Sequence, residues 1–290
     1  MKRIIDVVKS FAPPFMKRAI KKGSRELSGQ IGVMPDYIII GAQKCGTTSL
    51  YRYLIKHPCV VPASKKEVHF FDNHFGKGIS WYRAHFPSFL YKYYAKQIRG
   101  QDIVTGEASP YYIFHPLAPK RISEIIPRVK LIALLRNPVD RAYSHYNHEV
   151  KNGNETLSFE EAIRREEERL RGERDRMLRD EDYYSFNHQH YSYLSRGIYV
   201  DQLKVWMSIF PKEQVLILES KDLFADPPET LVRVFEFLNL PSWELKEYRK
   251  YNIANYAKID TTVRKFLIDY FEPHNQRLYE YLGVNFGWDR

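Results

Sequence analysis

The sequence predicts one α/β domain, spanning residues 35–290, in which a central parallel sheet is flanked by helices. Short apolar runs recur at 37–41, 102–107, 129–135 and 214–220, and helical patterns separate them. Strands that alternate with helices in this way indicate a parallel sheet with helices on both faces. The chain has 290 residues, of which 44% are hydrophobic and 28% are charged, so it is long enough to bury one large core.

Two segments in the second half carry clear helix signals. Asp226 stands as an N-cap before Pro227, and apolar residues follow at helical spacing. Residues 261–282 show the same apolar spacing. By contrast, residues 158–185 have few apolar side chains among dense mixed charge, so we expect a solvated helical insertion without chemistry of its own.

Residues 1–34 form a basic leader. Eight lysine and arginine residues stand against two acidic ones, so +6 of the total net charge of +10 lies there. The leader has no apolar run of signal-peptide length, and no stretch of the chain is long enough for a membrane span. Ile4, Val8 and Phe11 fall on one helical face beside lysines. Three alternatives stay open: contact with a membrane surface or a partner, a frayed basic tail, or a helix packed on the body. We expect no nucleic-acid partner, because the remaining chain is only mildly basic.

The composition also limits the compartment and the ligand class. Cys45 and Cys59 cannot form a disulfide framework, which favours a reducing, cytoplasmic compartment. The 22 tyrosines indicate clefts lined by flat, amphipathic rings, and such clefts suit carbohydrates. The spacing of cysteine and histidine fits no zinc site.

A phosphate-binding loop is predicted between the first apolar run and the helix that follows it. In the stretch Gly41-Ala42-Gln43-Lys44-Cys45-Gly46-Thr47-Thr48, glycines let the backbone approach an anion at the positive end of that helix. In nucleoside triphosphatases a lysine directly follows the last glycine, but Thr47 stands at that position. A magnesium-dependent kinase or nucleotidase is therefore disfavoured.

The cation of this loop is Lys44, which stands between Gly41 and Gly46. That position suits a ligand with one phosphate and one terminal group. The oxygen that bridges them leaves with the phosphate, and it needs a single positive charge nearby as the bond breaks. A 5′-phosphosulfate fits this description, because a sulfuryl group carries one negative charge where a terminal phosphate carries roughly two. We therefore expect no metal ion to be required.

A second phosphate site is predicted at the strand–helix junction near residue 136. Asn137 and Pro138 mark the start of the helix, and Arg136 would emerge at the carboxyl end of the strand, where ligands bind in parallel sheets. Ser144 lies about 9 Å further along that helix. An arginine and a hydroxyl so placed can converge on one phosphate. Two phosphate sites on separate strands specify a nucleotide with phosphates at both ends.

The segment "KKEVHFFD" supplies a candidate base. Glu67 and His69 alternate with Val68 and Phe70, as in a half-buried extended segment. An acceptor hydroxyl must lose its proton as its oxygen forms a bond to sulfur, and a carboxylate in partly apolar surroundings can take that proton. We expect Glu67 to be the general base, with His69 orienting it or contacting the substrate.

These three motifs resemble those of sulfotransferases that use 3′-phosphoadenosine 5′-phosphosulfate (PAPS), particularly the branch of heparan sulfate N- and 3-O-sulfotransferases and their bacterial relatives. The resemblance covers roughly residues 36–290. It rests on G-x-x-K-x-G-T-[TS]-x-L from Gly41, on R-[ND]-P-x-x-R-x-x-S-x-Y from Arg136, and on E-V-H-F-F-D from Glu67. It implies a single sulfotransferase domain with a P-loop-like sheet, in which Glu67 is the catalytic base and Arg136 and Ser144 bind the 3′-phosphate.

We therefore expect a sulfotransferase that moves a sulfuryl group from PAPS to a hydroxyl, or less favourably an amine, of a carbohydrate or small metabolite. The expected catalytic residues are Lys44, Glu67 and His69. The expected donor-binding residues are Gln43, Lys44, Cys45, Gly46, Thr47, Thr48, Ser49, Arg136 and Ser144. The expected acceptor contacts are Tyr111, Tyr112, His115 and Arg196. A non-catalytic adaptor that binds the same nucleotide is the main alternative.

Two departures from the family pattern bear on the acceptor. The heparan-type enzymes carry a lysine just after the glutamate that matches Glu107, whereas this chain has Ala108. Their disulfide-closed cover loop is also absent, and residues 249–260 are a shorter replacement whose Arg249, Lys250 or Lys258 could close over the nucleotide. The acceptor and the oligomeric state stay open.

Overall fold

The computed structural model describes residues 29–249, 251 and 256–288. The expectations for the leader up to residue 28 and for Lys250 lie outside these residues.

Within the described chain the core is a five-stranded sheet in which all neighbouring strands are parallel, as predicted. The strands are β1 (Tyr37–Gly41), β2 (Val60–Pro62), β3 (Val104–Ala108), β4 (Lys130–Leu135) and β5 (Val215–Glu219). Their order across the sheet is β2-β3-β1-β4-β5. The sequence analysis missed β2, because three residues at a sheet edge are too few to produce an apolar run.

Helices flank this sheet in chain order. They are α1 (Thr47–Leu54), α2 (Ile79–Arg83), α3 (Phe89–Arg99), α4 (Ala118–Ile125), α5 (Pro138–Lys151), α6 (Phe159–Arg164), α7 (Glu166–Leu170), α8 (Glu173–Arg179), α9 (Phe186–His190), α10 (Tyr199–Ile209), α11 (Ser220–Ala225), α12 (Pro227–Leu238) and α13 (Thr261–Leu282). The predicted caps form: Asn137 accepts from the N–H of Val139 at 2.9 Å, and Asp226 accepts from the N–H of Glu229 at 3.1 Å. In the part of the chain described, no helix combines the length and apolar character needed to cross a membrane.

The order of the strands determines where a ligand can bind. All five residues of β1 are buried, so this strand lies at the centre with helices covering it. The chain builds one side of β1 with β2 and β3 and then crosses to the other side with β4 and β5. The loops that follow β1 and β4 therefore diverge at the carboxyl end of the sheet, and such a divergence opens a crevice.

The charged insertion is helical but is not simply solvated. It folds as α6, α7 and α8, and two of its glutamates are buried. Glu166 accepts hydrogen bonds from the backbone N–H groups of Leu194 and Ser195 at 2.6 and 2.8 Å, and Glu173 accepts one from the Tyr183 hydroxyl at 2.9 Å. The expectation of a solvated segment is corrected, because Glu166 fixes the polypeptide that follows α9 and Glu173 fixes the polypeptide that precedes it.

Gly106 provides a test of the strand register. It pairs with Tyr37, and a Cβ atom at Gly106 would lie 2.3 Å from the Tyr37 carbonyl oxygen. Because backbone cannot move aside at the centre of a sheet, we expect Gly106→Ala to lower the free energy of unfolding by about 1–3 kcal/mol in urea titrations. The matched control is Gly76→Ala, since a Cβ there meets only the Asp182 side chain at 3.4 Å. Equal stabilities of the two variants would contradict this register.

Candidate active site

A cleft of about 740 Å³ lies where the loops diverge. Its walls come from the loop between β1 and α1, the extended segment 66–69, one face of α5, the helix α11 and the chain near residue 288. The three predicted motifs therefore meet in one place. Of the expected residues, those that line the cleft are Gln43, Lys44, Gly46, Thr47, Thr48, Glu67, His69, Tyr111, Arg136, Ser144 and Arg196.

The loop after β1 presents the N-terminal end of α1 to the cleft. Gly46 precedes the helix with a φ of 92°, in the left-handed region that favours glycine. No side chain caps the helix, and its first turn contains no acidic residue. The N–H groups of a first helical turn have no partner within the helix, and the helix dipole makes this end positive. The loop therefore has the geometry of an anion site.

Two cations stand beside this helix end without acidic partners. Within the described residues, neither Lys44 nor Arg136 forms an ion pair, and Arg136 Nη1 donates a hydrogen bond of 3.2 Å to the Lys44 carbonyl oxygen. Burial lowers the pKa of Lys44, and the charge of Arg136 lowers it further. Ser144, on the second turn of α5, lines the same cleft. Unpaired cations next to a hydroxyl and an uncapped helix indicate a site for a doubly phosphorylated ligand.

Glu67, His69 and Asp72 form a hydrogen-bonded chain on the opposite wall. The imidazole of His69 lies 3.2 Å from Glu67 Oε2 through Nε2 and 2.7 Å from Asp72 Oδ2 through Nδ1. Burial disfavours the charged imidazolium, but the two carboxylates outweigh it and raise the pKa of His69 to about 10. Burial likewise disfavours ionised Glu67, but His69 and Lys66 outweigh it and lower the Glu67 pKa to about 2. The resting site thus holds a carboxylate oriented by a charged histidine.

The segment that carries this chain is anchored on a buried carboxylate. Glu107 on β3 accepts four hydrogen bonds: from Val68 N at 3.0 Å, Ser109 Oγ at 2.6 Å, Tyr82 OH at 2.9 Å and Tyr112 OH at 3.0 Å. Burial raises the pKa of Glu107, although these donors oppose the shift. Val68 is buried, so the predicted alternation with Glu67 and His69 holds even though the segment joins no strand.

Three predicted residues have side chains that are buried within or behind the cleft wall. Arg196 is fully buried and donates to the Gln43 side chain and to the backbone oxygens of His188 and Gln189. The side chains of Cys45 and Ser49 are also buried away from the cleft, so only their backbone could reach a ligand there.

Tyr112 and His115 do not reach the cleft, and we withdraw them as acceptor contacts. The turn after β3 directs Tyr112 inward, where its hydroxyl donates to Glu107 and accepts from the N–H of Phe70 at 2.8 Å. His115 is buried in a separate cavity, and burial lowers its pKa to about 4. Of the four predicted acceptor contacts, Tyr111 and the buried Arg196 line the cleft.

Several residues of the cleft escaped the sequence analysis. Lys66 was missed although it adjoins Glu67. Arg264, Lys221 and Trp288 line the cleft from segments that no motif marked. Tyr251 and Tyr256 reach it from the replacement for the cover loop, whereas Arg249 pairs with Glu247 at 3.2 Å and is exposed.

The raised pKa of His69 gives a pH dependence with a defined sign. A histidine whose pKa is raised from about 6.5 to about 10 on folding contributes stability that is complete below about 6.5 and is lost as the pH rises towards 10. We expect the stability deficit of His69→Gln, measured by urea unfolding, to be largest near about pH 6 and to shrink at higher pH. The control is His74→Gln, because partial burial and Lys77 lower the pKa of His74. A deficit that is constant with pH would contradict a charged His69.

Known proteins with similar sequences and folds identify the family. Residues 34–275 match the family model described as the sulfotransferase domain. Membrane-associated sulfotransferase kil1 of Dictyostelium discoideum is 28% identical over 94% of this chain and 72% of its own length. Human heparan sulfate glucosamine 3-O-sulfotransferase 5 is 30% identical over 94% of this chain and 80% of its own length.

The crystal structure of a sulfotransferase from Alicyclobacillus acidocaldarius has the same fold. It matches 89% of this chain and 100% of its own, with 30% identity and a TM-score of 0.65. The resemblance inferred from the three motifs is confirmed: this chain belongs to the sulfotransferase domain family, whose enzymes use PAPS.

Proposed function

We propose that this protein transfers a sulfuryl group from PAPS to a hydroxyl group, with Glu67 as the general base and Lys44 stabilising the departing phosphate. The observation that carries the proposal is that Lys44 and Arg136, which have no acidic partner in the described part of the chain, lie in the same cleft as Glu67. Cations without acidic partners favour the binding of a phosphate dianion, and a carboxylate across the cleft can remove a proton from the acceptor.

The residues of the cleft fit the donor. The uncapped start of α1 and Lys44 would hold the 5′-phosphate, and Arg136 with Ser144 would hold the 3′-phosphate. When bound, the donor supplies a sulfuryl group on a phosphate leaving group. Glu67 would accept the proton of the acceptor, and His69 with Asp72 keeps its carboxylate oriented. Lys44 and the amides of α1 would stabilise negative charge on the departing phosphate.

The acceptor we propose is a hydroxyl of a carbohydrate or small metabolite, with an amine less favoured. The names of the human and mouse relatives specify glucosamine 3-O-sulfation of heparan sulfate, which supports a sugar hydroxyl. Tyr111, Tyr251 and Tyr256 line the cleft, and aromatic rings suit sugar faces. Ala108 lacks the charge that we expect in heparan-type enzymes, so a less anionic acceptor than heparan sulfate is favoured.

The donor assignment predicts a specific nucleotide affinity. Calorimetry should detect binding of adenosine 3′,5′-bisphosphate (PAP) without magnesium. Arg136→Ala should weaken that binding roughly 10- to 100-fold, because a charge-assisted hydrogen bond to the 3′-phosphate is lost. The matched control is Arg128→Ala: Arg128 lies just before β4 at the opposite, amino-terminal edge of the sheet and is exposed.

Comparing transfer activity with PAP affinity distinguishes the enzyme from the alternative functions. Glu67→Gln should reduce transfer from PAPS, assayed with a library of glycans and alcohols, far more than it reduces PAP affinity. Firm binding of PAP by the unsubstituted protein with no transfer to any acceptor would favour a nucleotide-binding adaptor. Absence of PAP binding together with binding of Mg·ATP would contradict the proposal.

We further propose a cytoplasmic protein with peripheral membrane contact through the basic leader. Cys45 and Cys59 are unpaired, which supports a reducing compartment, and the Dictyostelium relative is named as membrane-associated. The first described residues lie between α2 and the start of α3: Arg83 on α2 donates to the Gly32 carbonyl oxygen at 2.6 Å, and Val33 N donates to the Pro87 carbonyl oxygen at 2.9 Å. On α3, Leu90 and Tyr93 are 57% and 65% exposed, so an apolar surface adjoins the leader.

Membrane contact predicts binding to anionic vesicles that depends on salt and on the leader. Changing Lys17, Arg18, Lys21 and Lys22 together to Gln should weaken co-sedimentation with vesicles containing phosphatidylserine by roughly tenfold or more. Binding of the unsubstituted protein should also weaken at high salt. The matched control changes exposed charges of the body to Gln: Arg128, Lys212, Lys246 and Lys265. Equal loss in both variants, or equal binding to neutral vesicles, would contradict a role of the leader.

A further inference from the structure

Lys66 bridges the phosphate loop and the base. Its ammonium nitrogen lies 2.6 Å from Thr48 Oγ1, on the first turn of α1, and 2.6 Å from Glu67 Oε1. Lys66 also lines the cleft. One side chain therefore touches both walls between which group transfer must occur.

The backbone of Lys66 is fixed, whereas its side chain has freedom to choose a partner. The Lys66 carbonyl oxygen accepts from Ala108 N at 2.8 Å, and Val68 N donates to Glu107 at 3.0 Å, so both sides of the residue are tied to β3. The side chain is 22% exposed. A lysine ammonium is a compact charge with three donors on a flexible stem, so it can exchange one anion for another without backbone movement.

We propose that Lys66 is a positioning residue shared between Glu67 and the anionic donor, so that donor binding draws the ammonium towards the sulfuryl group and releases Glu67 to act as a base. This inference rests on the proposed function. It follows from the position of Thr48, because an anion bound at the first turn of α1 comes within reach of the same ammonium.

The charged and titratable groups around Glu67 come from four parts of the fold. They are Lys44 on the loop after β1, Lys66, His69 and Asp72 on its own segment, Glu107 on β3, and His148 on α5. Lys66 and His69 are the cations that contact Glu67 directly. Burial and Lys44 lower the pKa of His148, which disfavours a positive charge on that residue. Withdrawal of Lys66 leaves Glu67 with one cationic partner instead of two, and a carboxylate with fewer cationic partners is a stronger base.

The transfer step balances without a proton from Lys66. The acceptor oxygen forms a bond to sulfur, and its proton passes to the Glu67 carboxylate. The bond between sulfur and the bridging oxygen breaks, and its electron pair stays on the 5′-phosphate near Lys44. Lys66 neutralises charge on the sulfuryl oxygens and remains an ammonium ion throughout.

The test compares two nucleotides that differ only in the sulfuryl group. Calorimetry without acceptor measures PAP and PAPS affinity for the full chain and for Lys66→Met, Lys66→Arg and the neighbouring control Lys65→Met, since Lys65 is exposed. Lys66→Met should weaken PAPS binding roughly tenfold more than PAP binding. Lys66→Arg should retain the preference for PAPS, and Lys65→Met should change neither affinity.

A thermodynamic cycle with Glu67→Gln tests whether Glu67 and the donor compete for the Lys66 ammonium. Because Glu67 competes for the ammonium, Glu67→Gln should strengthen PAPS binding more in the presence of Lys66 than in the Lys66→Met background. Equal losses for PAP and PAPS in Lys66→Met, or equal effects of Glu67→Gln in both backgrounds, would overturn the role of Lys66 while leaving the donor assignment intact. Absence of PAP binding to the unsubstituted chain would overturn the proposed function and this inference with it.

Discussion

The site is organised around two positive charges, Lys44 and Arg136, which the fold holds together although neither is paired with a carboxylate among the described residues. Lys44 and Arg136 follow adjacent central strands, and Arg136 donates to the Lys44 carbonyl oxygen at 3.2 Å. Burial and mutual repulsion both lower the pKa of Lys44, so bringing this loop to its folded position has an electrostatic cost. An anion on the uncapped end of α1 would relieve that cost, so this arrangement of charges favours a phosphate.

A second layer of buried contacts keeps these charges in place. The Tyr199 hydroxyl on α10 donates to the Arg136 carbonyl oxygen at 2.9 Å and lies 3.7 Å from Cys45 Sγ. The buried Arg196 fixes Gln43 from within the cleft wall. On the opposite wall, Glu107 ties the base segment to β3. These contacts come from distant parts of the chain, so the positions of the reacting groups depend on the whole fold rather than on the motifs alone.

The sequence predicted those features that depend on local spacing. Buried strands appear as apolar runs, caps appear as Asn137 and Asp226, and the alternation around Val68 correctly separated the buried face from the cleft face. It did not reveal the direction of the turn after β3, because Tyr111 and Tyr112 are chemically alike and only tertiary packing sends one to the cleft and the other to Glu107. Lys66 could not be distinguished from a surface lysine, since its importance lies in contacts with residues on both walls.

The central claim is that the loop of Lys44 and the junction of Arg136 hold opposite ends of one adenosine nucleotide. The most direct test is a crystal structure of the protein with PAP. Our account predicts the 5′-phosphate at the start of α1 within hydrogen-bonding distance of Lys44, and the 3′-phosphate on Arg136 and Ser144. A nucleotide bound in the reverse orientation, or bound outside the cleft, would contradict it.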